Sequence, residues 1–191
     1  MSELNEIALN IISNSKGILA ADESTGTITK RFDSVGVKST PESRLKFRET
    51  LFSSDGMKKF IGGVILYDET IKQKTSSGIT IPDLINKSGS LTGIKVDTGA
   101  KTLSGSHAEK ITEGLDGLRE RLQEYYKLGA RFTKWRAVYS ISKSTPTKLS
   151  IISNAHALAR YASMVQEAKM VPIVEPELLM DGSHDINKCY K

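Results

Sequence analysis

ARFTKWRAVY, residues 130–139, is the stretch on which the fold turns. Phe132, Trp135, Val138 and Tyr139 mark a strand that belongs inside a protein, yet Lys134 and Arg136 stand within it. An unpaired charge in such surroundings is costly, so two cations on a core strand signal a polar site. Being two residues apart, they share one face of the strand.

The same arrangement recurs along the chain. In VPIVEPELL, residues 171–179, an apolar strand at 171–174 runs into Glu175 and Glu177, again two apart. Residues 17–21 lead to Asp22 and Glu23, residues 62–67 to Asp68 and Glu69, and residues 92–96 bring Lys95 and Asp97 onto one face. The strand starts lie about 30 to 45 residues apart with helix-period patterns between them, the spacing of parallel βα units. Carboxyl ends of parallel strands gather on one side, so these ionisable residues are expected to meet there. Asp68 and Glu69 are read differently, as the solvated start of a loop. Two carboxylates as close as Glu175 and Glu177 should raise each other's proton affinity, while a neighbouring lysine opposes that.

Residues 3–15 place Leu4, Ile7, Ala8 and Ile11 on one helical face ahead of Gly17. Leu115, Leu118, Leu122 and Tyr125 form a stripe ending at Gly129, and Thr145 with Pro146 suits the cap and first turn of a helix carrying Ile151, Ala155, Leu158, Ala162 and Val165. Residues 72–90, with Ser76, Ser77, Gly78, Pro82 and Gly89, read as a surface loop or lid. No domain boundary is visible, so residues 1–191 are expected to form part of one domain. Five βα units fit a (β/α)8 TIM barrel seen through its fifth strand, because a full barrel takes about 250 residues. An open doubly wound sheet is the alternative, although no GxGxxG or GxxxxGK[ST] phosphate loop is present.

Composition narrows the function. The 27 basic and 22 acidic side chains leave a charge of +5, but the lysines are scattered and not interleaved with aromatics, which argues against nucleic acid. No run of about 18 apolar residues could span a bilayer, and the acidic start MSELNEIALN is unlike a secretory signal, so a cytoplasmic protein without membrane insertion is expected. One cysteine, Cys189, excludes an intrachain disulfide and reads as a small filler near a helix start. His107, His156 and His184 lack paired ligand spacing, so no metal is expected; nor is there a GxSxG elbow or a cysteine beside a base.

Six strings carry a family likeness: GILAADESTGTITKRF, GGVILYDET, TGIKVDTG, FTKWRAVY, NAHALARYAS and VPIVEPELL. Together, in this order and spacing, they closely resemble class I fructose-bisphosphate aldolases from end to end. The resemblance implies a glycolytic lyase of (β/α)8 fold. It would split fructose 1,6-bisphosphate into dihydroxyacetone phosphate and glyceraldehyde 3-phosphate through a lysine Schiff base, needing neither metal nor other cofactor.

On that resemblance Asp22 would handle substrate hydroxyls and orient the lysines. Ser24, Thr27 and Arg31 would contact substrate, including its sugar-phosphate end, with Lys95 as a further cation. Lys134 would support proton movement and imine chemistry, and its charge would lower the carboxylates' pKa values. Arg136 would bind phosphate or hydroxyls, and Glu175, with Glu177 beside it, would be the general acid/base. The family's Schiff-base lysine lies on the sixth strand, with no counterpart before Lys191, so this chain by itself is expected to be inactive. A homotetramer is implied. Two other readings stand beside the enzyme: a non-catalytic scaffold binding actin or acidic adhesin tails, and a transaldolase-like Schiff-base barrel, which the VEPE and TKWR strings fit less well.

Overall fold

A computed structural model describes residues 2–106 and 108–190, so the reading of His107 lies outside the described residues. In chain order the elements are α1 (Glu3–Ile12), β1 (Gly17–Ala21), α2 (Thr25–Asp33), α3 (Pro41–Phe52), α4 (Gly56–Phe60), β2 (Ile61–Leu66), α5 (Asp68–Ile71) and α6 (Ile81–Lys87). There follow β3 (Leu91–Lys95), β4 (Gly99–Thr102), β5 (Lys110–Glu113), α7 (Leu118–Lys127), β6 (Phe132–Tyr139), α8 (Lys148–Glu167), β7 (Val171–Leu178) and α9 (Ile186–Tyr190).

Five strands form one parallel sheet in the order β1-β2-β3-β6-β7. Each new strand of the sheet is added on the same side, with no reversal of order. A doubly wound sheet needs such a reversal, so this winding is that of a barrel. Apart from the inserted β4–β5 hairpin, the strands are those expected from sequence. Among the described residues no helix is long and apolar enough to cross a membrane.

The two faces of the sheet bury different things. Outward, Val64, Leu66, Ile94 and Trp135 pack with Leu118, Leu122, Leu158 and Val165 of the helices. Trp135 lies against Tyr161 at 5.3 Å between ring centres. Tyr161 donates to the Ile173 carbonyl at 3.1 Å and lies 2.6 Å from the Thr133 hydroxyl, which ties α8 to both β6 and β7. Inward, Ile65 and Phe132 meet Ile11 of α1, which closes the amino-terminal end of the sheet. Room for this is made by missing side chains. A Cβ on Gly93 would sit 2.3 Å from the Phe132 ring, and one on Gly62 would sit 1.8 Å from the Ile11 carbonyl oxygen.

Four readings need correction. Residues 72–90 are not all loop: Thr80 caps α6, whose Ile81, Pro82 and Ile85 are buried, so the apolar residues outweigh the Ser/Gly turn before them. Thr147, not Thr145, caps α8, accepting from the Ser150 N–H at 3.2 Å. Asp68 and Glu69 are not simply solvated. The Asp68 carboxylate accepts from the Tyr125 hydroxyl at 2.8 Å, and Glu69 takes a two-pronged contact from Arg44 at 2.5 and 2.9 Å. Cys189 lies in the body of the short α9, half-buried, rather than at a helix start.

Candidate active site

At the carboxyl ends of the strands lies a cavity of about 410 Å³, lined by Ala20, Asp22, Glu23, Ser24, Thr27, Arg31, Lys95, Asp97, Gly99, Ala100, Lys134, Arg136, Val138 and Glu175. The loop after β1 brings Asp22 to the rim and passes into α2. There Ser24 is the cap: its hydroxyl accepts from the Thr27 N–H at 3.3 Å and lies 3.1 Å from the Thr27 hydroxyl. Arg31, nearly two turns later, reaches back to Glu23 at 2.5 Å.

Lys134 is the centre of the arrangement. Its Nζ lies 2.7 Å from Asp22 and 3.4 Å from Glu175. In sheet order β6 is three places from β1, about 14 Å in a flat sheet. Contact across that span requires the sheet to curl, so the ion pair follows from the barrel curvature. Burial opposes the lysine's charge, but the hydrogen bond and attraction of Asp22, then of Glu175, outweigh it and push the Lys134 pKa up. Lys134 therefore stays protonated at neutral pH. Glu175 Oε2 is buried, and its nearest cation is the Lys134 ammonium at 3.4 Å, beyond close hydrogen-bond geometry.

Lys95 sits directly opposite Lys134 in the β3–β6 register, a placement that repels unless each cation has its own anion. Lys95 has Asp97 at 2.9 Å. Asp97 does more than that: it accepts from the Gly99 N–H at 3.1 Å and the Arg136 N–H at 3.3 Å, joining β3, the hairpin and β6. Arg136 pairs with Glu177. That hydrogen bond raises the Arg136 pKa and holds the Glu177 carboxyl below the usual range, against the expectation that the two glutamates raise each other. Glu177 does not line the cavity with the other eight residues singled out from sequence.

The β4–β5 hairpin was not legible in the sequence. It is fixed by Asn154 of α8, which accepts from Thr112 N–H at 3.3 Å and donates to the Lys110 carbonyl at 2.9 Å, and by Glu109, which accepts from the Thr147 N–H and hydroxyl, both at 2.7 Å. Its start presents Gly99 and Ala100 to the cavity. Asp97 and Glu23 also line it. Their position at strand ends was the available signal, and it did not say which cation each would hold.

A curled parallel sheet, with acids and bases interleaved at the carboxyl ends of its strands, defines a polar cavity of the (β/α)8 type. The chain belongs to the class-I fructose-bisphosphate aldolase family, whose model matches residues 3–191. It is 51% identical over 191 residues to the probable fructose-bisphosphate aldolase class 1 of Xanthomonas axonopodis pv. citri, covering 100% of this chain and 57% of that one. Against fructose-bisphosphate aldolase 1 of Toxoplasma gondii it is 56% identical over 189 residues, 98% of this chain and 52% of the relative. The chain thus spans about half the length of the curated relatives it matches. Among solved structures, it resembles fructose-bisphosphate aldolase from Plasmodium falciparum in complex with TRAP and a small-molecule inhibitor. That match has a TM-score of 0.95 and 49% identity, over 98% of this chain and 55% of the other.

Proposed function

We propose that residues 1–191 are the N-terminal part of a single aldolase barrel domain in a cytosolic, metal-independent enzyme. That enzyme cleaves fructose 1,6-bisphosphate to dihydroxyacetone phosphate and glyceraldehyde 3-phosphate. The observation that carries the reading is Lys134 held charged between Asp22 and Glu175 at the mouth of a curled parallel sheet, in a chain of this family.

In this reading Asp22 receives substrate hydroxyls and orients Lys134, and Glu175 exchanges the proton that accompanies carbon–carbon cleavage. Ser24, Thr27, Arg31, Lys95 and Arg136 bind hydroxyl and phosphoryl groups, while Glu177 positions Arg136. A Schiff-base amine must be deprotonated to attack a carbonyl. Lys134 is held in the opposite state and Lys95 is bound to Asp97, so the imine-forming role is assigned to neither of the lysines that line the cavity. The assembly proposed is a homotetramer.

The test is chemical. Incubation with dihydroxyacetone phosphate and borohydride should leave no adduct on Lys95 or Lys134, as located by mass spectrometry. In the active enzyme, Glu175→Gln should cut turnover by about 10² while substrate affinity stays within about tenfold. Stoichiometric trapping on Lys134, or unchanged turnover in the Glu175 variant, would overturn the assignment. The scaffold reading, with actin or acidic adhesin tails as partners, draws support from the structural neighbour solved with TRAP bound and from the charge of +5. Presence of the Asp22, Lys134 and Glu175 cluster favours catalysis, since a scaffold has no need of it.

A further inference from the structure

Glu23 stands between two arginines of opposite character. Its Oε1 lies 2.5 Å from Arg31, whose side chain is 63% exposed at the cavity rim, and its Oε2 lies 3.9 Å from Arg48, whose side chain is wholly buried. Oε2 has no hydrogen-bond partner, and neither has Arg48 Nε. Arg48 donates only to neutral oxygens at close range, the Thr70 hydroxyl at 2.6 Å and the Glu23 carbonyl at 2.7 Å. A second carboxylate, Glu69, stays 3.8 Å away. The molecule therefore holds an exposed cation satisfied by a carboxylate next to a buried cation that lacks a carboxylate in direct contact.

We infer that Glu23 competes with a guest's phosphoryl group for Arg31, and that when the phosphoryl group takes Arg31, the displaced carboxylate closes on Arg48. The inference rests on the reading above that the cavity takes phosphorylated sugars. It follows from charge and reach. Glu23 gives Arg31 a single contact, whereas a phosphoryl group can take the guanidinium with two parallel bonds, so it wins at the exposed end. The loss to Glu23 is offset at the buried end, where ion pairing is screened less by water. Glu23 would then tune affinity downward while keeping Arg31 aimed at the rim.

The test uses inorganic phosphate as the probe, titrated calorimetrically into the chain and three variants. Glu23→Gln should bind phosphate about two- to fivefold more tightly, the size expected for freeing one exposed ion pair. That gain should vanish in an Arg31→Gln background. Arg48 supplies a separate readout: its Nε–H resonance should move on phosphate saturation in the unaltered chain and stay still in Glu23→Gln. Silence of both the unaltered chain and Glu23→Gln toward phosphate would overturn the phosphate-binding reading and the inference together. Phosphate binding that Glu23→Gln leaves equal or weaker, or a gain that survives in the Arg31→Gln background, would overturn the inference alone.

Discussion

Replacing Gly62 with alanine places a methyl group 1.8 Å from the Ile11 carbonyl oxygen, where ordinary contact needs about 3.5 Å. The obstacle is backbone, so no rotamer change relieves it, and α1 must retreat by about 1.5 Å or more. Such a retreat uncovers Ile11, which is 4% exposed, and much of the half-buried Ile7. Full burial of an isoleucine is worth about 1.5–3 kcal/mol, so losing one and half of another comes to about 2–4.5 kcal/mol. Urea unfolding should register that loss, and amide exchange in α1 should quicken first. Ile11→Ala should not rescue the variant, because the clash is with main chain. Gly93→Ala is the contrast: the three atoms nearest its added methyl all belong to the Phe132 ring, a side chain, so Phe132→Leu should recover part of the loss. A Gly62→Ala chain within about 0.5 kcal/mol of the parent, or one rescued by Ile11→Ala, would refute the packing described for α1.

The hydrogen bond from Arg44 holds the Glu69 carboxyl below its usual range, so its stabilisation is present above the unfolded value of about 4.3 and fades as pH falls through the depressed folded value. Glu69→Gln should therefore cost about 1–2 kcal/mol at pH 7 and almost nothing in strong acid, as read by urea midpoints at each pH; a pH-independent difference would contradict it. Lys134 has the opposite sign. Its raised pKa makes its contribution complete below about pH 10.4 and lost as pH climbs through the folded value, so Lys134→Met should cost about 2–4 kcal/mol near neutrality and converge on the parent in strong alkali.

Strands were legible because Val64, Ile65, Leu66, Ile94 and Phe132 are apolar at buried places, and burial is what sequence pattern reports. The helix α3 was not, because it buries Arg44 and Arg48 where a pattern reader looks for leucine, and the ion network that makes this tolerable involves residues more than twenty positions away. The β4–β5 hairpin hid for a related reason: three of four residues in β4 are exposed, and its anchors, Glu109, Thr112 and Asn154, are polar. In the site, strand-end charge pointed to Asp22, Lys134 and Glu175, because position along a strand sets which end a residue occupies. Pairing is a tertiary fact. Nothing in the spacing of Glu175 and Glu177 says that one faces Lys134 and the other Arg136.

The contact between Lys134 and Asp22 spans most of the curled sheet with one side chain, which makes it a mechanical gauge. Twisting or flattening is spread over many ladder hydrogen bonds, each of which tolerates a small share of the movement. The lysine receives the sum. A slight uncurling would therefore separate the charges while every strand remained paired, and circular dichroism would record an intact protein whose centre had already come apart.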